Sequence, residues 1–276
     1  MKTKHCFLSA ALIGIAAGVV RILQYIWTID PRGFYLGGRL SDFFAGCLVG
    51  LLAVGLLLGI FSGIRQKKEP ATLYHFGKST PTRLLFLILA AVSVSDGIFR
   101  LAGGISIPAV LCFLGGIAWL ILALRGTFPP FMELLPLLQL GGLIVDYFRS
   151  TYKYIQISEY CLGLLGLCSM AYFALVLIKT LSEADCTKGR LITASSFLLV
   201  FGVTSFLTPL TDGFEWSKLL FAVHGFTYCL LAALTLIWLP EGKHSPSAPI
   251  ETPNLDALNQ YISDLPEVQE DEQDDL

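Results

Sequence analysis

Charge is scarce in this chain. Of its 276 residues only 14% are Asp, Glu, Lys or Arg, against 54% hydrophobic, whereas soluble domains average about 25% charged. The deficit excludes a soluble globular domain and a disordered chain. Cysteine occurs seven times (Cys6, Cys47, Cys112, Cys161, Cys168, Cys186, Cys229) but never as CxxC or at metal-ligand spacing, which argues against a disulfide-stapled module. Six of the seven fall in or beside apolar blocks and read as small hydrophobes. Cys47, Cys112 and Cys161 lie nearest the outer ends of their helices, where a disulfide stays open as an alternative. HExxH, GxSxG and Walker loops are missing, and the four histidines are scattered. No catalytic activity, metal, cofactor or nucleic-acid partner is expected.

What the chain does have is long apolar blocks. Each is near the ~20 residues that cross a bilayer as helix. Eight helices are expected, at about 7–29, 41–63, 82–101, 106–124, 130–146, 158–180, 191–210 and 217–239. Asp30-Pro31 stops the first, Gly103-Gly104 divides the third from the fourth, and Pro129-Pro130 opens the fifth. The fold class is therefore an all-α polytopic membrane protein. Lys2, Lys4 and the run behind them resemble a signal peptide, but the run continues to Ile29, so it reads as a retained span.

Lys and Arg set the expected orientation. With the N-terminus in the cytoplasm, the inner loops receive 12 of them and the outer loops six, with Arg21 left inside the first span. That bias places both termini inside. All four tryptophans (Trp27, Trp119, Trp216, Trp238) then fall near an expected interface.

A duplication shows in the acids. Asp30 to Asp146 and Asp96 to Asp212 are both 116 residues apart, and Asp96-Gly97 overlays Asp212-Gly213 at that offset. Two four-helix halves, about 1–125 and 126–240, would be parallel repeats. Sparse identity elsewhere leaves open that short turns simply collect Asp and Gly.

Polar residues inside apolar helices are the candidate site, because charge at membrane depth is costly. Arg21 precedes Asp30 by nine residues, about 13 Å along a helix. Gln24, Gln139 and His224 reach similar depths, with Thr204 and Ser205 in the same layer and Asp96 and Ser93 higher. Together Arg21, Gln24, Asp96, Gln139 and His224 would line an outward-facing vestibule for a small solute. Against that, Arg21 would be a structural partner of Asp96, Asp146 or Asp42, and His224 a satisfied core histidine. Arg100 and Arg149 read as interface residues that snorkel to water. Every odd-helix Asp reads as lying at the surface, so an intramembrane protease pair is not expected. The cluster Tyr147, Phe148, Arg149, Tyr152, Lys153 and Tyr154 reads as an interfacial belt. Pro136 would kink the fifth helix. Small-residue spacing, Gly46-x3-Gly50 and Gly55-x3-Gly59 in the second helix and Gly163-x2-Gly166 in the sixth, suits close helix packing.

Past Pro240 the composition turns acidic. Residues 241–276 hold ten acids and one Lys, so this tail carries −9 while the body, with 18 bases and 11 acids, carries +7. Four prolines (246, 249, 253 and 266) make it a disordered cytoplasmic linker. Within it Leu255, Leu258, Ile262 and Leu265 would share one helical face and could dock a cytoplasmic protein.

The stretch Arg21-Ile-Leu-Gln24-Tyr-Ile-Trp-Thr-Ile-Asp30-Pro-Arg-Gly33-Phe34-Tyr35 resembles uncharacterised multipass membrane proteins of anaerobic Gram-positive bacteria. The resemblance implies a bacterial cytoplasmic membrane and brings no activity with it. Two functions are carried forward: a transporter-like or solute-binding bundle, and a non-catalytic scaffold or signalling subunit acting through its tail.

Overall fold

The computed structural model describes residues 3–28, 36–66, 71, 73, 76–102, 104, 106–129, 131–151, 157–182, 186–207 and 215–239. Its elements are α1 (Thr3–Thr28), α2 (Arg39–Arg65), α3 (Thr80–Ala102), α4 (Ile107–Arg125), α5 (Leu134–Thr151), α6 (Ile157–Leu181), α7 (Lys188–Leu207) and α8 (Trp216–Trp238). All but α5 are long and apolar enough to cross a membrane, and the fold is an all-α polytopic membrane protein. In hydrocarbon a helix meets its own backbone hydrogen bonds, which is why these apolar blocks take that form. Their outward faces stay apolar: Leu8, Leu12, Ile15 and Val19 form an exposed stripe on α1, as Phe43, Val54, Leu57 and Phe61 do on α2. The chain runs up and down, so we call the end holding the start of α1 proximal and the opposite end distal.

Helices α7 and α8 occupy the centre. α7 packs on α1, α2, α6 and α8, and α8 packs on α1, α3, α6 and α7. The sequence of α7 explains its place, since its serines and threonines are better met by neighbouring helices than by lipid. α3, α4 and α5 pack in series on one side, and α1 with α2 on the other. The two halves related by the 116-residue offset do not pack alike, because α2 sits on α1 and α7 whereas its counterpart α6 sits on α5, α7 and α8.

Midway, α7 opens into a π-helical turn at Leu198–Gly202. Its carbonyls find side-chain donors: Cys229 Sγ lies 3.6 Å from Leu198 O, Thr204 Oγ1 2.9 Å from Val200 O and Ser205 Oγ 2.7 Å from Phe201 O. Ser205 Oγ also lies 2.6 Å from Leu162 O, tying α6 to α7. α1 crosses the turn at Gly14, where a Cβ would overlap the Leu199 carbonyl oxygen.

Several expectations are revised. α5 starts at Leu134, four residues beyond its expected start, so Pro136 falls in its first turn and needs no kink, since that N–H lacks a helical acceptor anyway. In α2, Gly55, Gly59 and Gly63 do face close neighbours on α7, but Gly46 and Gly50 have nothing within 4 Å. Trp119 is fully buried, stacked on Phe86 at 5.5 Å, and is no interface residue. All seven cysteines are free. At the proximal end, Ala71 N bonds Cys186 O at 2.9 Å, Gly77 abuts Gly126, and Phe76 packs edge-on to Trp238. Asp30, Gly33, Phe34, Tyr152, Lys153, Tyr154, Asp212 and the tail segment Leu255, Leu258, Ile262 and Leu265 lie outside the described residues.

Candidate functional site

The site is built on the distal half of α3. Helical spacing brings Ser93, Asp96, Gly97 and Arg100 to one face of it. At Gly97 a Cβ would stand 3.1 Å from Ala109 O and Phe113 N, so glycine lets α4 come close. That approach sets Cys112 Sγ 3.4 Å from Asp96 Oδ2. Arg100 donates from Nε to the same Asp96 Oδ2 at 2.9 Å and from Nη1 to Asp146 Oδ2 on α5. A single guanidinium thus bridges two helices through two carboxylates, a geometry that suits its planar fork of donors.

Opposite stands α8, which lays Ser217, Leu220, Phe221 and His224 along one face. These residues, with Asp96, Arg100, Leu143 and Met170, line a cavity of about 20 Å³, room for roughly one water. The His224 ring stacks on Tyr228 at 5.4 Å and 2°. His224 is 3% exposed, and its Nε2 has no hydrogen-bond partner. Burial deepens along the cluster: side-chain exposure falls from 36% at Asp146 and 27% at Arg100 to 11% at Asp96. His224 lies innermost.

Below this, Gln139 of α5 donates from Nε2 to Ser93 Oγ at 2.8 Å, its side chain filling the space left by Gly115 of α4. Arg21 is 1% exposed and donates from Nη1 to Gln24 Oε1 at 2.7 Å, one turn along α1. Thr28 Oγ1 donates to Gln24 O at 2.6 Å.

Of the five expected site residues, the structure brings Asp96 and His224 to one cavity and places Arg21, Gln24 and Gln139 elsewhere. Three readings change with it. Asp96 is buried, not at the surface, because α4 closes over it. The vestibule is small, with room for roughly one water and with Ser217 exposed on its lining. Asp96 and Asp146 take Arg100 as their cation, and Arg100 is a site residue that the depth argument passed over. The i, i+4 spacing of Asp96 and Arg100 was the available signal. Among the described residues, no group of three His, Cys, Asp or Glu side chains could hold a metal.

Fold and site together define a polytopic helical membrane protein with an ion-paired cluster capping a buried histidine. Comparison with family models, with curated proteins and with solved structures gives no match.

Proposed function

We propose that the chain is a transport protein of a bacterial cytoplasmic membrane, with its distal end outside and both termini inside. The observation that carries this reading is the Asp96–Arg100–Asp146 bridge set directly over the cavity of His224. Charged groups within membrane helices are costly and mark solute and ion paths. Here they join two helices by side chains alone, so the junction can part without breaking a helix. The cavity is narrow in this state; widening it for a solute requires Arg100 to release one carboxylate. The loop counts of Lys and Arg favour the orientation.

The test needs no known solute. Leu220→Cys, in full-length protein whose native cysteines are replaced by alanine, is reconstituted in vesicles and exposed to a membrane-impermeant maleimide from each side in turn. A transporter opens its cavity alternately, so labelling from both sides is expected. Labelling from one side only, or from neither, rejects the proposal.

One observation favours a second reading. The −9 tail against the +7 body is a strong segregation of charge, and a scaffold could use such a tail to hold a basic cytoplasmic protein. Removing residues 241–276 should then abolish co-purification of that protein from its own host, and unchanged co-purification would dismiss the idea.

A further inference from the structure

What the cavity can take is limited by its size, its donors and its charge. At about 20 Å³ it has space for roughly one water, and so excludes organic solutes in this state. Its polar lining beyond Arg100 is Asp96, Ser217 and His224. Hard cations gather about six oxygen ligands. Here there is one carboxylate, whose Oδ2 already accepts from Arg100 and Cys112, and one serine. A metal ion is underserved by that set, whereas a proton needs a single acceptor.

The charge count points the same way. Asp96 and Asp146 against Arg100 leave the bridged trio at −1, and a neutral His224 leaves it there. Protonating the imidazole brings the four groups to zero. No other charged side chain lines the cavity among the described residues: Cys112 reaches it only through Asp96, α6 contributes Met170, and α7 contributes nothing. Tyr228 lies against the inner face of the ring. Arg21 of α1 bonds Gln24 and does not line the space.

We infer that the solute this cavity admits is the proton, taken up by His224 from the distal side with Asp96 as its counter-charge. The inference rests on the transport reading of the same site. In the step itself, an O–H bond of a hydronium in the cavity breaks and its electron pair stays on oxygen. An N–H bond forms from the lone pair of the imidazole's acceptor nitrogen. Water is left in the cavity and an imidazolium faces Asp96.

The experiment uses the full chain, labelled with 15N-histidine, in vesicles of phosphatidylcholine and phosphatidylglycerol stepped from pH 8 to 4. There are four histidines, His5, His75, His224 and His244, and the signal missing in His224→Gln is that of His224. If His224→Gln does not insert, the variant with the other three replaced leaves His224 as the one remaining signal. We expect reversible conversion to imidazolium with the helical circular dichroism unchanged, and at least tenfold weaker proton binding in Asp96→Asn. An imidazole that stays neutral throughout, or that converts only as the helices melt, overturns the inference. Equal proton binding in Asp96→Asn removes Asp96 from it. Failure here is separable from failure of the transport reading: a neutral His224 with two-sided Leu220→Cys labelling refutes the proton alone. Reversible protonation with one-sided labelling refutes transport alone.

Discussion

At the residue scale the decisive side chain is Arg100. It satisfies Asp96 and Asp146 together, and without it two carboxylates would face each other at the distal end of a low-dielectric interior. Breaking a buried ion pair costs about 3–5 kcal/mol; with Arg100 at 27% exposure we expect about 2 kcal/mol for Arg100→Ala. The measurement is thermal unfolding in detergent, where the midpoint should fall by about 4–8 °C. Arg100→Lys should recover only part of it, because an ammonium lacks the planar fork. Ser93 and Gln139 give a second test. Ser93→Ala leaves the Gln139 amide without its acceptor, a loss of about 1–3 kcal/mol. Gln139→Leu should relieve much of that, so the double variant should be less damaged than the sum of the singles. Depth along the sequence correctly marked His224, Arg21 and Gln139 as buried, whereas Asp96, read as a surface residue, is buried as well. It could not say which of them meet, because rotation about a helix axis decides that and depth carries no azimuth.

At the element scale, the π turn of α7 and its crossing with α1 hold the centre. π turns widen a helix locally and recur at functional positions. Here the turn offers carbonyls that Cys229, Thr204 and Ser205 take up, and its bulk fits against Gly14. Adding a methyl at Gly14 meets a backbone oxygen, which cannot rotate aside as a side chain would. Gly14→Ala should cost about 1–3 kcal/mol, read as a lowered unfolding midpoint. Gly46→Ala, where the added carbon meets nothing within 4 Å, should leave the midpoint within about 1 °C. The apolar blocks placed every helix, and the structure adds the caps of α4: Ser106 accepts from Ala109 N at 3.4 Å and Gly126 ends the helix at φ +79°. The start of α5 was misplaced because Pro129-Pro130 reads as an opening, while the chain first makes a turn through Phe131 at φ +68°. The π turn left no mark in composition, since Leu-Leu-Val-Phe-Gly is also an ordinary apolar helix segment.

At the scale of the whole molecule, residues 1–240 and 241–276 form separate units. The first holds the described core, from Cys6 of α1 to Leu239 after α8. A chain ending at Pro240 should therefore insert and unfold at the same temperature as the full protein, within about 2 °C, by the same detergent melt. The exposed apolar stripes make the body inseparable from lipid or detergent, so alkaline carbonate should fail to strip it from membranes.

Composition and the spacing of apolar blocks by themselves determined that this is a multipass helical membrane protein, and roughly where each helix lies. They could do so because a bilayer demands length and apolarity of each segment independently. The site was decided by tertiary structure alone. Asp96, Arg100, Asp146 and His224 come from three helices, and their meeting depends on Gly97 admitting α4, on Arg100 reaching α5 and on α8 turning its polar face to α3. Those are relations between helices, set by packing and by the cost of leaving a charge unmatched in a low-dielectric interior.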